Sequence, residues 1–342
     1  MEAAEDSEQI YRFTIDRLRS GPNVELKLVY TLINLAKCRA RLGYHTKSFK
    51  AAHGAVELCQ SLSATKWGSE NLREIDGRRA HSLNYRAKSL SHIERSKEAL
   101  ADAREAVRIF RVLAEQRLAK NDRELAYSLG LQARCLRHCH GYQEALSLLS
   151  ESEGLYRTLG LRSSLDYAHC LRDISRCLSH LKRLEDAYRA ADESLSVHWK
   201  LKDIDPDTFH LDDFTTTLMV VAYCLTCLEH HEEALNCMYD AVEMRRELSK
   251  NNLASTKLNL GISLCQLADC LHNSGSHDKA AMLVAEAEAL RRRLGFDLEH
   301  KRDIVSNLAT ALSSLDRRLE YYKSRKGDGV GQETGLYDSC EA

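Results

Sequence analysis

Residues 129–152 read LGLQARCLRHCHGYQEALSLLSES, and the spacing of the small residues in this stretch decides the fold. Ala133 is followed twelve residues later by Ala145 and a further seven residues later by Ser152. This spacing occurs six times, while successive copies begin 42 to 51 residues apart. The six triplets are Ala36/Ser48/Ala55, Ala87/Ala99/Ala106, Ala133/Ala145/Ser152, Ser175/Ala187/Ser194, Ala222/Ala234/Ala241 and Ala268/Ala280/Ala287. A fixed unit joined by linkers of variable length is typical of a stacked helical-repeat protein.

Each unit contains the pattern of two helices. We call the first small residue of a triplet the origin of its unit, and we number positions as offsets from it. Leu129 and Leu136 lie at offsets −4 and +3 from Ala133, and most units carry leucine at both places. Offsets −4, 0 and +3 share one face of an α-helix. A turn follows, and the other two small residues then lie two helical turns apart. The unit is therefore predicted to be a helical hairpin that needs neighbouring units to bury its apolar face.

The composition favours helix and gives no sign of secretion or of a membrane span. The chain has 342 residues with only two prolines, no Asn-x-Ser/Thr sequence and no apolar run approaching 18 residues. Five of its twelve cysteines lie at offset +2, and Ser89 takes that place in the remaining unit. A recurring Cys/Ser position indicates a tight contact between helices and reduced thiols. We expect a cytoplasmic protein with no membrane association.

The repeat also predicts the organisation of the chain. Residues 1–24 are expected to form an N-terminal capping helix, residues 25–297 six hairpins, residues 298–325 a C-terminal capping helix, and residues 326–342 a disordered tail. The longest linker is expected at residues 61–79. Because both ends of the stack are expected to carry caps, we expect a monomer.

The small-residue pattern, the two-helix unit and the Gly-Tyr-x-Glu-Ala-Leu turn at residues 141–146 resemble tetratricopeptide repeats (TPR). The units are longer than the usual repeat of about 34 residues. They are similar to the long repeats of kinesin light chains and of fungal and bacterial arrays that often follow a signalling nucleotidase module. The resemblance implies an all-α fold, a right-handed α-solenoid of helix-turn-helix repeats. It also implies that the first helices line a concave face that usually takes a peptide.

Basic residues recur on a second face of the first helix. Residues 26–200 hold 30 Lys and Arg against 20 Asp and Glu, whereas residues 201–342 hold 16 against 24. Offsets −3, +1 and +5 are four residues apart and therefore share a face, and the first four units carry Lys, Arg or His at +1 and +5. Two asparagines could also hydrogen-bond a peptide backbone. The candidate groove residues are Asn34, Lys37, Arg41, Asn84, Lys88, His92, Arg134, Arg137, His138, Arg172, Arg176 and His180.

This recurrence of one charge sign in four consecutive units suggests a partner protein or peptide with an acidic or phosphorylated segment. Arginine binds carboxylate and phosphate groups with two parallel hydrogen bonds, which suits such a segment. The sequence therefore predicts a non-enzymatic interaction scaffold or adaptor with its site in units one to four. The alternative explanation of the stripe is a solvated face whose cations are compensated by nearby acids.

Other functions have weaker support in the sequence. Cys224, Cys227, His230 and His231 resemble metal ligands, but Cys224 occupies the packing position at +2, so we expect no metal and no cofactor. No phosphate-binding loop and no nucleophile motif is present, so no enzyme activity is expected. Two alternatives stay open, namely the sensor arm of a larger signalling NTPase and an RNA-binding helical repeat. Long units and few aromatic residues argue against nucleic acid.

Overall fold

The computed structural model describes residues 22–64, 69–115, 119–162, 164–204, 210–250 and 254–296. These residues form twelve α-helices and no β-strand. In chain order the helices are α1 Pro22–Arg41, α2 His45–Ser63, α3 Ser69–His92, α4 Ser96–Ala114, α5 Ala119–His138, α6 Tyr142–Thr158, α7 Leu165–His180, α8 Leu184–Ile204, α9 Leu211–Cys227, α10 His231–Ser249, α11 Ala254–Asn273 and α12 His277–Phe296. Odd-numbered helices are the first helices of six consecutive units, and even-numbered helices are the second. The predicted all-α helical-repeat architecture is confirmed.

Two helix boundaries differ from the expectations. α2 continues to Ser63 and α3 begins at Ser69, so the linker expected at residues 61–79 is much shorter. The reason is burial, because the first turns of α3 place Ile75 in one apolar cluster with Leu62. α1 begins at Pro22, where the missing N–H of proline costs nothing in a first helical turn. Residues 1–21 of the cap expected at residues 1–24, the C-terminal cap expected at 298–325 and the tail expected at 326–342 lie outside the described residues, and residues 22–24 belong to α1.

The small residues lie where the helices touch. All eighteen are at most 1% exposed. Where serine replaces alanine, its hydroxyl is used within the contact. Ser48 Oγ donates to the carbonyl of Ala36 at 2.8 Å, and Ser152 and Ser194 donate to carbonyls of the first helices of their own units. A larger side chain at these positions would force the helices apart.

The turn inside each hairpin has one geometry. The residue at offset +7 has a positive φ between 61° and 80° in every unit, although only two of the six are glycine. The N–H of the next residue donates to the carbonyl at offset +3 at 2.8 to 3.0 Å in every unit. This is the Schellman arrangement that ends a helix with a left-handed residue. The second helix then begins at offset +9 in all six units, which explains why the spacing of twelve never varies.

The hairpins stack along the chain. Each helix packs against the next one, and each first helix also contacts the first helix of the following unit. First helices of neighbouring units therefore approach each other more closely than second helices do. The stack curves towards the first helices, and their accessible sides line its inner face. No helix in the described part of the chain has the length and apolarity needed to span a membrane.

The left-handed turn residue gives a test of this geometry. Lys182 has φ 61° and an exposed side chain, so the substitution Lys182→Gly should relieve backbone strain without removing a contact. We expect the variant to be more stable by about 1 kcal/mol, measured as the urea midpoint. Lys182→Ala is the control, since alanine keeps the strain. Equal midpoints for the two variants would contradict the interpretation.

Candidate peptide-binding groove

The inner face of the stack carries the predicted residues at offsets +1 and +5. Lys37 and Arg41 on α1 are exposed, and Lys88 on α3 is half-buried. Arg134 on α5 and Arg176 on α7 occupy the same offset as Lys88 and are also half-buried. Asn34 is half-buried one turn before Lys37. The structure therefore brings the cations at +1 into one row across units one to four.

Offset −3 does not share this accessible face. Asn84 is 2% exposed, and its Nδ2 donates to Ser128 Oγ of the next unit at 2.8 Å. Arg172 is 7% exposed, and its Nη1 donates to the carbonyl of Asp213 at 3.2 Å. Both side chains are engaged in packing between units, so the expectation that they contact a peptide is corrected. The physical reason is rotation, since four residues of an α-helix turn through about 400° rather than 360°.

The histidines at offset +5 are exposed, and two of them stack on the neighbouring unit. His92 lies 4.0 Å from His45, and His180 lies 4.2 Å from Tyr142, each measured between ring centroids. Both partners are the first residue of a second helix in the preceding unit. His138 occupies the same offset in unit three and is exposed. The imidazoles therefore border the groove and help to fix the angle between units.

A buried carboxylate that the sequence analysis missed lies under the row of cations. Asp173 on α7 is 2% exposed, and its Oδ2 accepts hydrogen bonds from Nε and Nη2 of Arg134 at 3.2 and 2.9 Å. Arg176 Nη1 lies 3.7 Å from Asp173 Oδ1. Burial alone would raise the pKa of Asp173, but Arg134 and the neighbouring guanidinium groups outweigh it and hold this pKa well below its usual range. Asp173 thus neutralises part of the positive charge of Arg134 and Arg176 in the row of cations.

A second carboxylate compensates Arg172 at the next step of the stack. Asp213 on α9 lies 3.7 Å from Arg172 Nη1 and 3.0 Å from His169 Nε2. Behind this group His198 is 1% exposed, and its Nε2 lies 3.2 Å from Thr217 Oγ1. Units four and five are therefore joined by buried polar contacts rather than by apolar side chains alone.

The charge of the inner face changes along the stack. The positions on the inner side of the first helices are offsets −9, −6, −2, +1 and +5, which are three or four residues apart, and offset −2 is buried in units three to five. In units one and two these positions contain no acidic residue. They are Lys27, Tyr30, Asn34, Lys37, Arg41, Arg78, His81, Tyr85, Lys88 and His92. Units three and four add Glu124, Asp166 and Asp173, and units five and six contain Asp213 and Asp269 but no Lys or Arg.

Lys88 occupies the most basic part of this face. It is half-buried and forms no ion pair with any residue that the structure describes. Desolvation, followed by the charges of Arg134, Arg41 and Arg172, lowers the pKa of Lys88 to about 8, against the opposing effect of Asp213. An anion bound here would replace lost hydration and relieve repulsion between cations.

Tyrosines that are not among the predicted groove residues supply apolar surface beside these cations. Tyr30, Tyr85 and Tyr127 lie at offsets −6 and −2 of the first three units. Arg78 lies over the ring of Tyr30 at 5.0 Å from its centroid. Tyr127, Arg134 and Asp173 line a cavity of about 20 Å³, large enough for one water molecule. The signal was present in the sequence as a recurrence of tyrosine on the helix face that carries offset +1.

The metal-like cluster does not assemble. Cys224 is buried and lies 3.5 Å from Ser175 Oγ and 3.7 Å from Ser179 Oγ of the preceding unit. Within the described ranges, no group of three or more His, Cys, Asp or Glu side chains is placed to hold a metal ion. Cys224 therefore serves the packing contact predicted for offset +2.

Comparison with solved structures agrees with the repeat geometry. The structure of BtubC (BKLC) from P. vanneervenii matches with a TM-score of 0.56 at 16% identity, over 73% of this chain and 92% of that chain. A Podosopora anserina putative kinesin light chain with nearly identical TPR-like repeats matches with a TM-score of 0.47 at 14% identity. That match covers 64% of this chain and 97% of the other. A STAND protein with a TPR sensor, PH0952 from Pyrococcus horikoshii, matches with a TM-score of 0.48 at 14% identity. The match covers 94% of this chain and 47% of that chain.

These similarities concern the fold alone, because the sequence identities are low. No protein-family model matches the sequence, and a search of curated proteins finds no match. Together with the six hairpins and their contacts between first helices, the comparison with BtubC shows that the described part of the chain has a TPR-like helical-repeat fold.

Because His198 is buried behind the groove, we expect the protein to lose stability in acid. Burial, with the nearby charges of Arg172 and His169, lowers the pKa of His198 to about 4, whereas in the unfolded chain it is about 6.5. Between these values the unfolded chain binds a proton that the folded chain does not, so acidification favours unfolding. We expect the free energy of unfolding to fall by up to about 3 kcal/mol from this residue as the pH drops from 7 to 4.

Urea denaturation at several pH values, on the wild type and on His198→Gln, measures this contribution. Glutamine keeps a hydrogen-bonding group near Thr217 and does not titrate. The difference between the two proteins should shrink as the pH falls. Parallel pH profiles would show that His198 does not carry the effect.

Proposed function

We propose that this protein is a non-enzymatic interaction scaffold that holds an acidic or phosphorylated segment of a partner protein along the inner face of units one to four. The fold supports this role because stacked hairpins present an extended concave surface. The groove supports it because its cations recur at equivalent positions, with tyrosine side chains available for apolar contacts.

The observation that carries the proposal is the environment of Lys88. This half-buried cation has no acidic partner among the described residues, and desolvation together with the charges of Arg134 and Arg41 lowers its pKa to about 8. A solvated and compensated surface would instead place carboxylates beside such a group. The outer side of the stack does so, since Arg111 on α4 pairs with Glu151 on α6 at 2.7 Å.

Several contacts must act together for binding of this kind. A single exposed ion pair contributes only about 0.2 to 1 kcal/mol. Lys37, Arg41 and Lys88 lie in two adjacent units, so one extended segment can reach all three. Because much of the attraction is electrostatic, binding should weaken as salt rises.

A direct test removes these three charges. We expect the variant Lys37→Gln/Arg41→Gln/Lys88→Gln to bind a fluorescent acidic peptide library at least about tenfold more weakly than wild type at low salt, because about 1.4 kcal/mol corresponds to that factor. Fluorescence anisotropy at low and physiological salt measures the change. None of the three side chains forms an ion pair with a described residue, so helicity should be unchanged.

The matched control removes the same charge from second helices. Lys50, Lys97 and Lys200 are exposed on α2, α4 and α8. Their triple substitution by glutamine should leave affinity close to that of wild type. If both triple variants bind as well as wild type, the inner face is not the site. If both bind equally poorly, net charge rather than the inner face governs the interaction.

A further inference from the structure

One arginine of the groove interrupts a contact that recurs between units. At offset +4 three units carry a hydroxyl residue that lies against the cysteine at offset +2 of the next unit. The pairs are Ser91 with Cys135 at 3.5 Å, Ser179 with Cys224 at 3.7 Å and Thr226 with Cys270 at 3.6 Å. In unit three this position is Arg137, and Cys177 is at the corresponding place in unit four. An arginine side chain therefore begins at a position that carries a small hydroxyl residue in units two, four and five.

The charge of Arg137 has no partner in the described part of the chain. Its Nε is inaccessible to solvent and forms no hydrogen bond. No described carboxylate forms an ion pair with it. Asp173 is within electrostatic range, but its oxygens face Arg134 and Arg176. Arg137 as a whole is half-buried, and removing its Nε–H from water without an acceptor is unfavourable, so packing alone does not account for this residue.

The neighbouring groups show the same surplus of positive charge. Desolvation lowers the pKa of Arg176 to about 9, and the charges of Arg172, Arg137 and Arg134 add to this effect against that of Asp173. Desolvation, together with Arg137 and Arg134, also lowers the pKa of His138 to about 4. The step between units three and four is thus an anion-deficient site bordered by imidazoles that are neutral at pH 7.

We propose that this step binds a phosphate monoester on the partner peptide, held by Arg137 and Arg176. The inference rests on the proposed function and specifies the chemical group that the groove recognises. A phosphate monoester carries a charge of about −1.5 to −2 at pH 7 and offers three acceptor oxygens, so it can engage two guanidinium groups at once. A carboxylate has one charge and two oxygens, which a single arginine satisfies.

The test compares three peptides of one sequence, with phosphoserine, glutamate or serine at the centre and glutamates on both sides. Calorimetry should show that wild type prefers the phosphoserine peptide over the glutamate peptide by about tenfold, the range expected for charge-assisted hydrogen bonds. In Arg137→Ser this preference should fall to less than about twofold, because serine restores the hydroxyl group of the other units and removes a cation of the site.

Two further measurements separate the outcomes. Arg137→Ser should melt at a higher temperature than wild type without ligand, and inorganic phosphate should raise the melting temperature of wild type alone. Lys37→Gln is the matched control, since it removes a groove cation far from this step and should keep the preference for phosphoserine.

The results distinguish the two proposals. If acidic peptides bind but Arg137→Ser keeps the tenfold preference, or Lys37→Gln loses it equally, the phosphate site is wrong and the acidic groove stands. If wild type binds the phosphoserine and glutamate peptides equally, the phosphate site is again wrong. If none of the three peptides binds and phosphate has no effect, both proposals fail.

Discussion

The structure depends on the close approach of two helices at a pair of small side chains. Ala133 and Ala145 are essentially inaccessible, and the turn that joins their helices contains one left-handed residue, His140. The turn sets the spacing, and the absence of bulky side chains permits the contact. Neither feature buries enough apolar surface to stabilise a single hairpin, so leucines at offsets −4 and +3 must pack against the next unit. Stacking is the result of this local constraint.

The groove follows from the same constraint. Every first helix ends in the same turn, with its left-handed residue at offset +7. Side chains at offsets +1 and +5 therefore lie at equivalent places in each unit. Four cations placed there would repel one another, and the chain meets this in two ways. Asp173 neutralises part of the charge from below, and desolvation together with the charges of Arg134 and Arg41 lowers the pKa of Lys88. In the first two units Arg78 pairs with Glu74 at 3.3 Å, but Lys37, Arg41 and Lys88 form no ion pair with a described residue. The inner face therefore has a basic end and a more acidic end.

The sequence predicted the hairpins well because their determinants are local. Offsets between small residues report directly on the two helices and their turn. The boundary at Ser69 was missed because charged residues such as Arg73 and Glu74 resemble a linker, although Ile75 among them anchors a helix. At the groove, the sequence placed offsets −3, +1 and +5 on one accessible face, but the structure buries Arg172 at offset −3.

The rest of the site depends on contacts between units, which no local pattern contains. The pairing of Arg134 with Asp173 joins two residues 39 positions apart and requires the rotation between adjacent hairpins. A four-residue step drifts by about 40° around a helix, so a stripe drawn from sequence crosses from the accessible face into the interface. The same drift concealed Asn84, which bonds to Ser128 rather than facing the groove.

The buried polar contacts also distinguish the repeats from one another. Arg245 of α10 is 4% exposed and donates to Thr215 and Thr216 of its own unit and to Ser263 of the next unit. Arg172 depends in the same way on Asp213. The alanine and leucine positions would accept any neighbour, but a shuffled order of hairpins would remove the acceptor that Asp213 gives to Arg172 and the acceptor that Ser263 gives to Arg245. The apolar pattern makes the units interchangeable in shape. The charged contacts differ from one pair of units to the next, and they therefore favour one order of the hairpins.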